Sequence, residues 1–361
     1  MKNLFIGIDI SKEKVNYCAR EGVRIIGSGE CKNEMKSLAK CFSRVVKDLP
    51  PVLACAEYTG KYIYPLACAC KSLGLDLWLE DPTRIKHSFG IARGKNDTVD
   101  AERIAEYAFR FQDKRVLYEL PGKAFESLQV LLTDRELVLG DRQKYKAQLK
   151  DQKGYMNPTD YKRKANRIEK LLECLNAQIE EIDKEISTVI ASNPEISHQI
   201  ELLKTIDGIG EKIAVRMIAI TNGFTKFRNA RQFNCYAGLA PFVYTSGKSI
   251  HSKAKVSQRA NKNIKALLHL AALAAATHMK ESEYKTYYQR KCREGKHPMS
   301  VLNVVRAKLV ARMFAVIKNQ RPYLRVYEKE LTQRSGNALA ARGCTSTPDE
   351  RKKEYKELEI S

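Results

Sequence analysis

The chain has 361 residues, with 64 Lys and Arg against 42 Asp and Glu and a formal net charge of +22. That length admits two domains and a connector, each able to bury its own core. The charge argues against an acidic ligand-buffering or neutral small-molecule protein and for a polyanionic partner, of which nucleic acid is the commonest. Ten Cys occur without a Cys-x-x-Cys pair, and Cys68 and Cys70 fall in an apolar run. Free thiols in a reducing compartment are expected. No apolar run is long enough to span a membrane, and no leader pattern opens the chain. A soluble cytoplasmic protein is expected.

The first element is Leu4-Phe5-Ile6-Gly7-Ile8-Asp9-Ile10. A run this apolar reads as a strand buried on both faces. Asp9 near its end is costly to desolvate unless something pairs with it, and a metal cation is the simplest partner. Lys14–Arg20 and Val23–Ser28 follow as strands around an Arg20-Glu21-Gly22 turn. Asn33–Val46 has helical spacing, with Met35, Leu38, Cys41, Phe42 and Val45 on one face. Val52–Glu57 is a fourth strand and also ends in a carboxylate. A helix runs through Leu73, and Leu75–Leu79 is a fifth strand closed by Asp81-Pro82. An antiparallel meander followed by alternating helix and strand is the order of a ribonuclease-H-like domain, although several α/β folds share it.

Gly94-Lys95-Asn96-Asp97-Thr98-Val99-Asp100-Ala101 then leads into a helix to about Phe111, with Ala101, Ile104, Ala105 and Ala108 as its apolar stripe. Asp97 can serve as an N-cap and Asp100 as a dipole-favoured acid, with no further role. Alternatively, a helix packed on the sheet aims both at Asp9 and Glu57, which end adjacent strands. Four such carboxylates repel unless divalent cations neutralise them. Their hard oxygens suit Mg²⁺ or Mn²⁺, and two such ions serve phosphodiester chemistry.

Pro121-Gly122 marks a boundary. Phe125 to about Asp151 is a charged helix, broken over Gly154–Pro158. In the next helix Ile168, Leu172, Leu175, Ile179, Ile182, Ile186 and Val189 alternate spacings of four and three, a heptad seam. An antiparallel hairpin able to pair with a second subunit is expected. The alternative is a two-helix arm packed on its own domain.

After Asn193-Pro194 comes Thr205-Ile206-Asp207-Gly208-Ile209-Gly210, then a helix from Lys212. Hydrophobic-Gly-hydrophobic-Gly between helices is the helix-hairpin-helix pattern, whose N–H groups hold a DNA phosphate. Such glycines also serve plain tight turns. No acid occurs between Glu211 and Glu281. Lys212, Arg216, Lys226, Arg228 and Arg231 fall there, as do Lys248, Lys253, Lys255, Arg259, Lys262 and Lys265. Solvated faces normally mix signs, so this stretch reads as phosphate-binding. Ser246 precedes Gly247 in its loop. A serine hydroxyl needs an activating base or metal, and no His-Asp partner pattern is evident. Ser249, Ser252 and Ser257 are competitors. Ile264–Ala276 and Ser300–Lys318 are helical, and Ser335 onward turns polar.

Taken in order, Gly7-Ile8-Asp9-Ile10-Ser11-Lys12, Ala56-Glu57-Tyr58-Thr59-Gly60 and Asn96-Asp97-Thr98-Val99-Asp100 resemble the acidic tetrad of a RuvC-like resolvase domain. Thr205–Gly210, Tyr236-Ala237-Gly238-Leu239-Ala240-Pro241 and Ser246-Gly247 resemble the C-terminal domain of DEDD/serine transposases of insertion sequences. These are the bridge-RNA-guided recombinases, relatives of the Piv DNA invertases. The resemblance spans roughly residues 3–325. It implies an α/β plus all-α chain, divided into a RuvC-like domain at 1–120, a helical coiled-coil arm at 121–196, a mostly helical transposase domain at 197–328 and a polar tail at 329–361.

The resemblance also implies metal-dependent strand cleavage and exchange between donor and target DNA, guided by a noncoding bridge RNA. Asp9, Glu57, Asp97 and Asp100 would hold Mg²⁺, and Ser246 would attack the scissile phosphate in a homo-oligomer, up to a tetramer. Gly208, Gly210, Lys212, Lys248, Lys253, Lys255, Arg259, Lys262 and Lys265 would contact nucleic acid, with the protein on the nucleoid when bound to DNA. Where the family often carries Ser-Lys-x-Gly-Asn and an Arg, this chain has Ser257-Gln258-Arg259-Ala260-Asn261 and Lys265. The charge is kept and the Gly lost. Three alternatives remain: a Piv-like invertase, a junction nuclease that hydrolyses with the acids alone, and a non-catalytic nucleic-acid binder.

Overall fold

A computed structural model describes residues 4–46, 52–89, 96–242, 245–246, 250–251, 255–256, 260–279 and 282–324, with the backbone alone at 245–246, 250–251 and 255. Residues 1–121 and 122–361 form two compact units.

The first unit holds strands β1 (Leu4–Ile10), β2 (Lys14–Glu21) and β3 (Arg24–Lys32), helix α1 (Met35–Val45), β4 (Val52–Glu57), α2 (Tyr64–Ser72), β5 (Asp76–Glu80), α3 (Pro82–Ser88) and α4 (Asp97–Arg110). The sheet order is β3-β2-β1-β4-β5. The meander is antiparallel, and β1–β4 and β4–β5 are parallel. The sheet is therefore mixed, with β1 at its centre.

Alternation explains why β1 is apolar throughout. Leu4, Ile6 and Ile8 pack with Ala54 and Ala56 against Leu38, Phe42 and Leu66 from α1 and α2. Phe5, Leu53, Cys55 and Trp78 line the opposite face with Ile104, Tyr107 and Ala108 of α4. Two covered faces leave no solvent side for a polar residue. Met35, expected on the apolar face of its helix, stands at the first position of α1 and is 46% exposed.

Asp81-Pro82, expected only to end β5, instead starts α3. Asp81 caps it by accepting from Thr83 N at 2.7 Å, and Pro82 occupies the first turn. Proline has no N–H to lose there and its fixed φ suits a helix start.

The second unit is largely helical: α5 (Lys123–Gln152), α6 (Pro158–Ala191), α7 (Pro194–Lys204), α8 (Glu211–Thr221) and α9 (Ala230–Tyr236). Four two-residue strands follow: β6 (Pro241–Phe242), β7 (Thr245–Ser246), β8 (Ile250–His251) and β9 (Lys255–Val256), pairing β6 with β9 and β7 with β8. Then come α10 (Lys262–Leu273), extended by a π-helical turn at Ala274–His278, α11 (Glu283–Arg293) and α12 (Pro298–Asn319). Its core gathers Leu203, Ile218, Phe233, Leu268, Val305, Leu309 and Met313, all fully covered or nearly so. The polar tail expected beyond 328 lies outside the described residues.

α5 and α6 form an antiparallel hairpin. Arg135 forks onto Asp183, with Nε and Nη2 donating at 2.6 and 3.0 Å. Arg142 donates to Asn176 Oδ1 at 3.1 Å, and Tyr161 OH donates to Leu149 O at 3.2 Å. Along the α6 seam Ile168, Ile179 and Ile186 are buried, whereas Leu172, Leu175, Ile182 and Val189 are half-buried. α5 covers the seam in part, and at its far end Ile186 joins the core of the second unit, with Ile182 and Val189 packed against it. Among the described residues, no helix is long and apolar enough to cross a membrane.

Candidate active site

Strand register sets the site. Asp9 pairs across with Asn16, which pairs with Glu30. On the other side Ile8 pairs with Ala56, so Glu57 follows beside Asp9, and Glu57 pairs with Glu80. Paired residues share a face. Glu30, Asn16, Asp9, Glu57 and Glu80 thus form one row across all five strands, on the face covered by α4.

Gly7 lets α4 reach that row. A Cβ there would lie 2.1 Å from Ala105 N and 2.3 Å from Ala101 O, so the helix backbone rests directly on β1. Phe5 meets Phe109 edge-on, with ring centroids 5.6 Å apart. Going up β1 therefore means going down α4. The next residue on this face, Asp9, stands opposite the first turn of α4, where Asp97 and Asp100 lie. The cap of α4 is Asn96, whose side chain accepts from Thr98 N at 3.2 Å. Asp97 is not needed as the N-cap, the structural role open to it from sequence.

Cations already attend these acids. Lys14 Nζ lies 2.9 Å from Glu30 Oε2 and 3.4 Å from Asp97 Oδ2. Both carboxylates hold the Lys14 ammonium above its usual range, Glu30 foremost. Arg103 pairs with Asp100 at 3.0 Å. Among the described residues no three acids, His or Cys stand close enough to close around one ion. The donor set nonetheless fits a hard divalent cation: carboxylate oxygens only, from two adjacent strand ends and one helix turn.

Sequence reading missed Glu80, having ended its strand at Leu79. Glu80 is buried at 7% exposure. It accepts from Tyr107 OH at 3.2 Å, Asp81 N at 2.9 Å and Arg84 Nη1 at 3.4 Å. Burial pushes the Cys55 thiol up, and Glu80 and Glu57 push it further, so both carboxylates flank that side chain.

The remaining expected residues lie in the second unit. Ser246 is in β7, paired with Ile250 of β8. Lys248, Lys253 and Arg259 lie outside the described residues, and of Lys255 only the backbone, paired with Phe242, is described. Lys262 and Lys265 are in the first turns of α10, which Asn261 caps by accepting from Ile264 N at 3.1 Å. Gly208 and Gly210 sit between α7 and α8, with Lys212 exposed in the first turn of α8. Gly208 has φ +82°, and a Cβ there would stand 2.6 Å from Ala271 O. Close packing and a left-handed backbone thus account for this glycine. Gly210 has open space around it. Arg216, counted among the phosphate-binding cations, is instead paired with Glu136 of α5.

Comparison with known proteins adds two family matches. Residues 6–152 match the DEDD transposase domain of IS110 elements, and residues 200–289 match the Transposase IS116/IS110/IS902 family. Together they cover well over half of the chain. The pilin gene-inverting protein of Moraxella bovis is 28% identical over 145 residues, 40% of this chain and 45% of that protein. An uncharacterized 43.6 kDa protein of insertion element IS110 from Streptomyces coelicolor is 26% identical over 149 residues, 41% of this chain and 35% of that one. The chain thus spans less than half the length of these relatives. Among solved structures, T. thermophilus RuvC in complex with Holliday junction substrate is 12% identical with a TM-score of 0.26, covering 32% of this chain and 99% of that one.

Proposed function

Because the chain belongs to the IS116/IS110/IS902 transposase family, we propose that it is a DNA recombinase that cuts and rejoins strands at the acidic row of its first unit. The observation that supports the reading is the close approach at Gly7, which lays the α4 backbone on β1 two residues before Asp9. Those four residues would hold Mg²⁺ or Mn²⁺. When bound, the ions would supply Lewis acidity at the scissile phosphate and its leaving oxygen.

Ser246 is the proposed nucleophile. Its oxygen forms a bond to phosphorus as the deoxyribose oxygen leaves and takes up a proton. A hydroxyl of the new partner strand later attacks the phosphoserine and frees the serine. The bond energy is conserved, so rejoining needs no external energy source. The stretch 245–251 that carries Ser246 contains Lys248 and no acid, a composition suited to a phosphate. Lys212, Lys262 and Lys265, with Lys248, Lys253, Lys255 and Arg259, would grip nucleic acid backbones. Donor DNA, target DNA and a noncoding bridge RNA are the proposed partners, in an oligomeric complex. The excess of 22 positive charges suits several polyanions at once.

The second reading is site-specific inversion by the same chemistry, favoured by the pilin gene-inverting relatives. The test is Asp9→Asn. Cleavage should vanish while nucleic-acid binding, carried by Lys and Arg, persists. Metal-dependent cutting by the variant at the wild-type rate would refute the site.

A further inference from the structure

Beside the acidic row, within the first unit, lies a cleft of about 540 Å³ between α3 and α4, at the carboxyl end of β5. Glu80, Arg84, His87, Tyr107, Phe111 and Lys114 line it. It shares Glu80 with the row. Since Glu80 pairs with Glu57 on the adjacent strand, and neighbouring strands lie about 4.8 Å apart, the cleft begins one strand away from the proposed cleavage point.

Its lining joins two chemistries. Tyr107 and Phe111 meet at a tilt of 41° with ring centroids 4.9 Å apart, and Trp78 backs Tyr107 at 5.3 Å and 38°, forming an aromatic wall. The cations Arg84 and Lys114, with His87 near them, form the other part. Lys114 Nζ lies 5.0 Å from the Phe111 centroid, so ring and charge are presented together. The buried acid does not spoil the site for an anion, because Tyr107 and Arg84 both donate to Glu80. Aromatic faces beside Lys and Arg are the means by which proteins hold single-stranded nucleotides, base on ring and phosphate on cation. A small concave volume suits one unpaired nucleotide and excludes a duplex edge.

We propose that this cleft receives an unpaired nucleotide of the DNA strand next to the cleaved phosphate, stacking its base on Phe111 and holding its phosphate with Arg84, His87 and Lys114. The inference rests on the strand-cleaving reading above. Its role is positioning: it holds the strand open and fixes which phosphate meets Asp9.

The experiment uses the full chain and a short single-stranded oligodeoxynucleotide carrying one 5-iododeoxyuridine. Ultraviolet light crosslinks that base to a stacked aromatic ring, and mass spectrometry maps the attached peptide. The wild-type crosslink should fall on Phe111, since Tyr107 is buried. It should drop about tenfold in Phe111→Leu, which keeps bulk and loses the ring, and similarly in Arg84→Ala/His87→Ala/Lys114→Ala, whose residues lie at the surface. Crosslinks confined to other peptides, or an unchanged yield in the triple variant with a wild-type melting profile, would overturn the inference. Asp9→Asn run in parallel separates the two readings. It should crosslink normally and fail to cut. If it cuts, the catalytic reading falls. If it is dead while the triple variant crosslinks and cuts as wild type, only the cleft inference falls.

Discussion

Gly7→Ala is the sharpest perturbation available. It adds one methyl group to a strand that tolerates larger residues on either side. At this position the methyl meets backbone: Ala105 N at 2.1 Å, Ala101 O at 2.3 Å and Ala105 Cα at 2.6 Å. No rotamer can relieve a clash between a Cβ and helix backbone. Reaching ordinary contact at about 3.4 Å or more requires α4 to lift by over about 1 Å. Overpacking of this kind costs roughly 1–3 kcal/mol. For a unit of this size each kcal/mol lowers Tm by about 3–6 °C.

The larger effect is on chemistry. In the site proposed above, lifting α4 would draw Asp97 and Asp100 away from Asp9 and Glu57, and a misplacement of about 1 Å can cost on the order of 10²-fold in rate. The expected variant is folded, melts earlier and cuts about a hundredfold more slowly. Differential scanning calorimetry and single-turnover cleavage of labelled DNA measure the two effects. A Gly7→Ala protein with wild-type melting and wild-type cleavage would refute the claim that helix contact at this glycine builds the site.

Three further outcomes are expected. Ser246→Ala should bind DNA and RNA yet form no covalent protein–DNA adduct on denaturing gels, whereas an adduct lost only in Ser249→Ala or Ser252→Ala would move the nucleophile. Leu175→Asp/Ile182→Asp should reduce the mass seen by light scattering. Those seam residues are half-buried within one chain and would gain about half of the roughly 1.5–3 kcal/mol that full burial of such a side chain is worth; an unchanged mass would mean the arm folds only on itself. The hydrogen bonds from Arg135 hold the Asp183 carboxyl below its usual range. Its folded value is below the unfolded one, so the pair contributes fully above about pH 4 and is lost on further acidification. Arg135→Gln should flatten that part of the melting-temperature profile, and an unaltered profile would remove the pair from the stability of the arm.

Much of the first unit is legible in sequence because its strands are buried on both faces. Each reads as an apolar run, and the carboxylates that interrupt the runs stand out at their ends. Asp9 and Glu57 could be singled out for that reason. Glu80 could not, because Glu-Asp-Pro after Leu79 reads as a breaker; the strand goes one residue farther, and Asp81 and Pro82 are a cap and a first helical turn. Gly7 carried no sequence signal either. A glycine in a strand is ordinary until the partner helix is known to lie against it. In the second unit the one-sign charge stretch was plain, but pairing was not: Arg216 is neutralised by Glu136, about 80 residues earlier, a contact no local pattern announces. The glycines between α7 and α8 show the same limit, since Gly208 is explained by Ala271 of α10.

The ion pairs around the row bear on how so many carboxylates can coexist in a folded protein. Asp97 shares Lys14 with Glu30, and Asp100 holds Arg103. Without these cations, gathering acids over Asp9 and Glu57 would oppose folding. With buried pairs, an incoming divalent ion would have to break contacts that are costly to lose. The pairs here are at least partly exposed: the side chains of Lys14 and Asp97 are 45% and 54% accessible. Exposed ion pairs contribute little and exchange readily with water and salt. Lys14 can therefore neutralise the acids during folding and would swing aside for the divalent ion proposed above, whereas the Arg103–Asp100 pair, 24% and 29% accessible, is the more firmly held. Lys14 is tethered close to the row and would remain near an anionic strand after release. Where the two cations sit follows from the chain: Lys14 opens β2 two residues before Asn16 of the row, and Arg103 lies a single helical turn beyond Asp100.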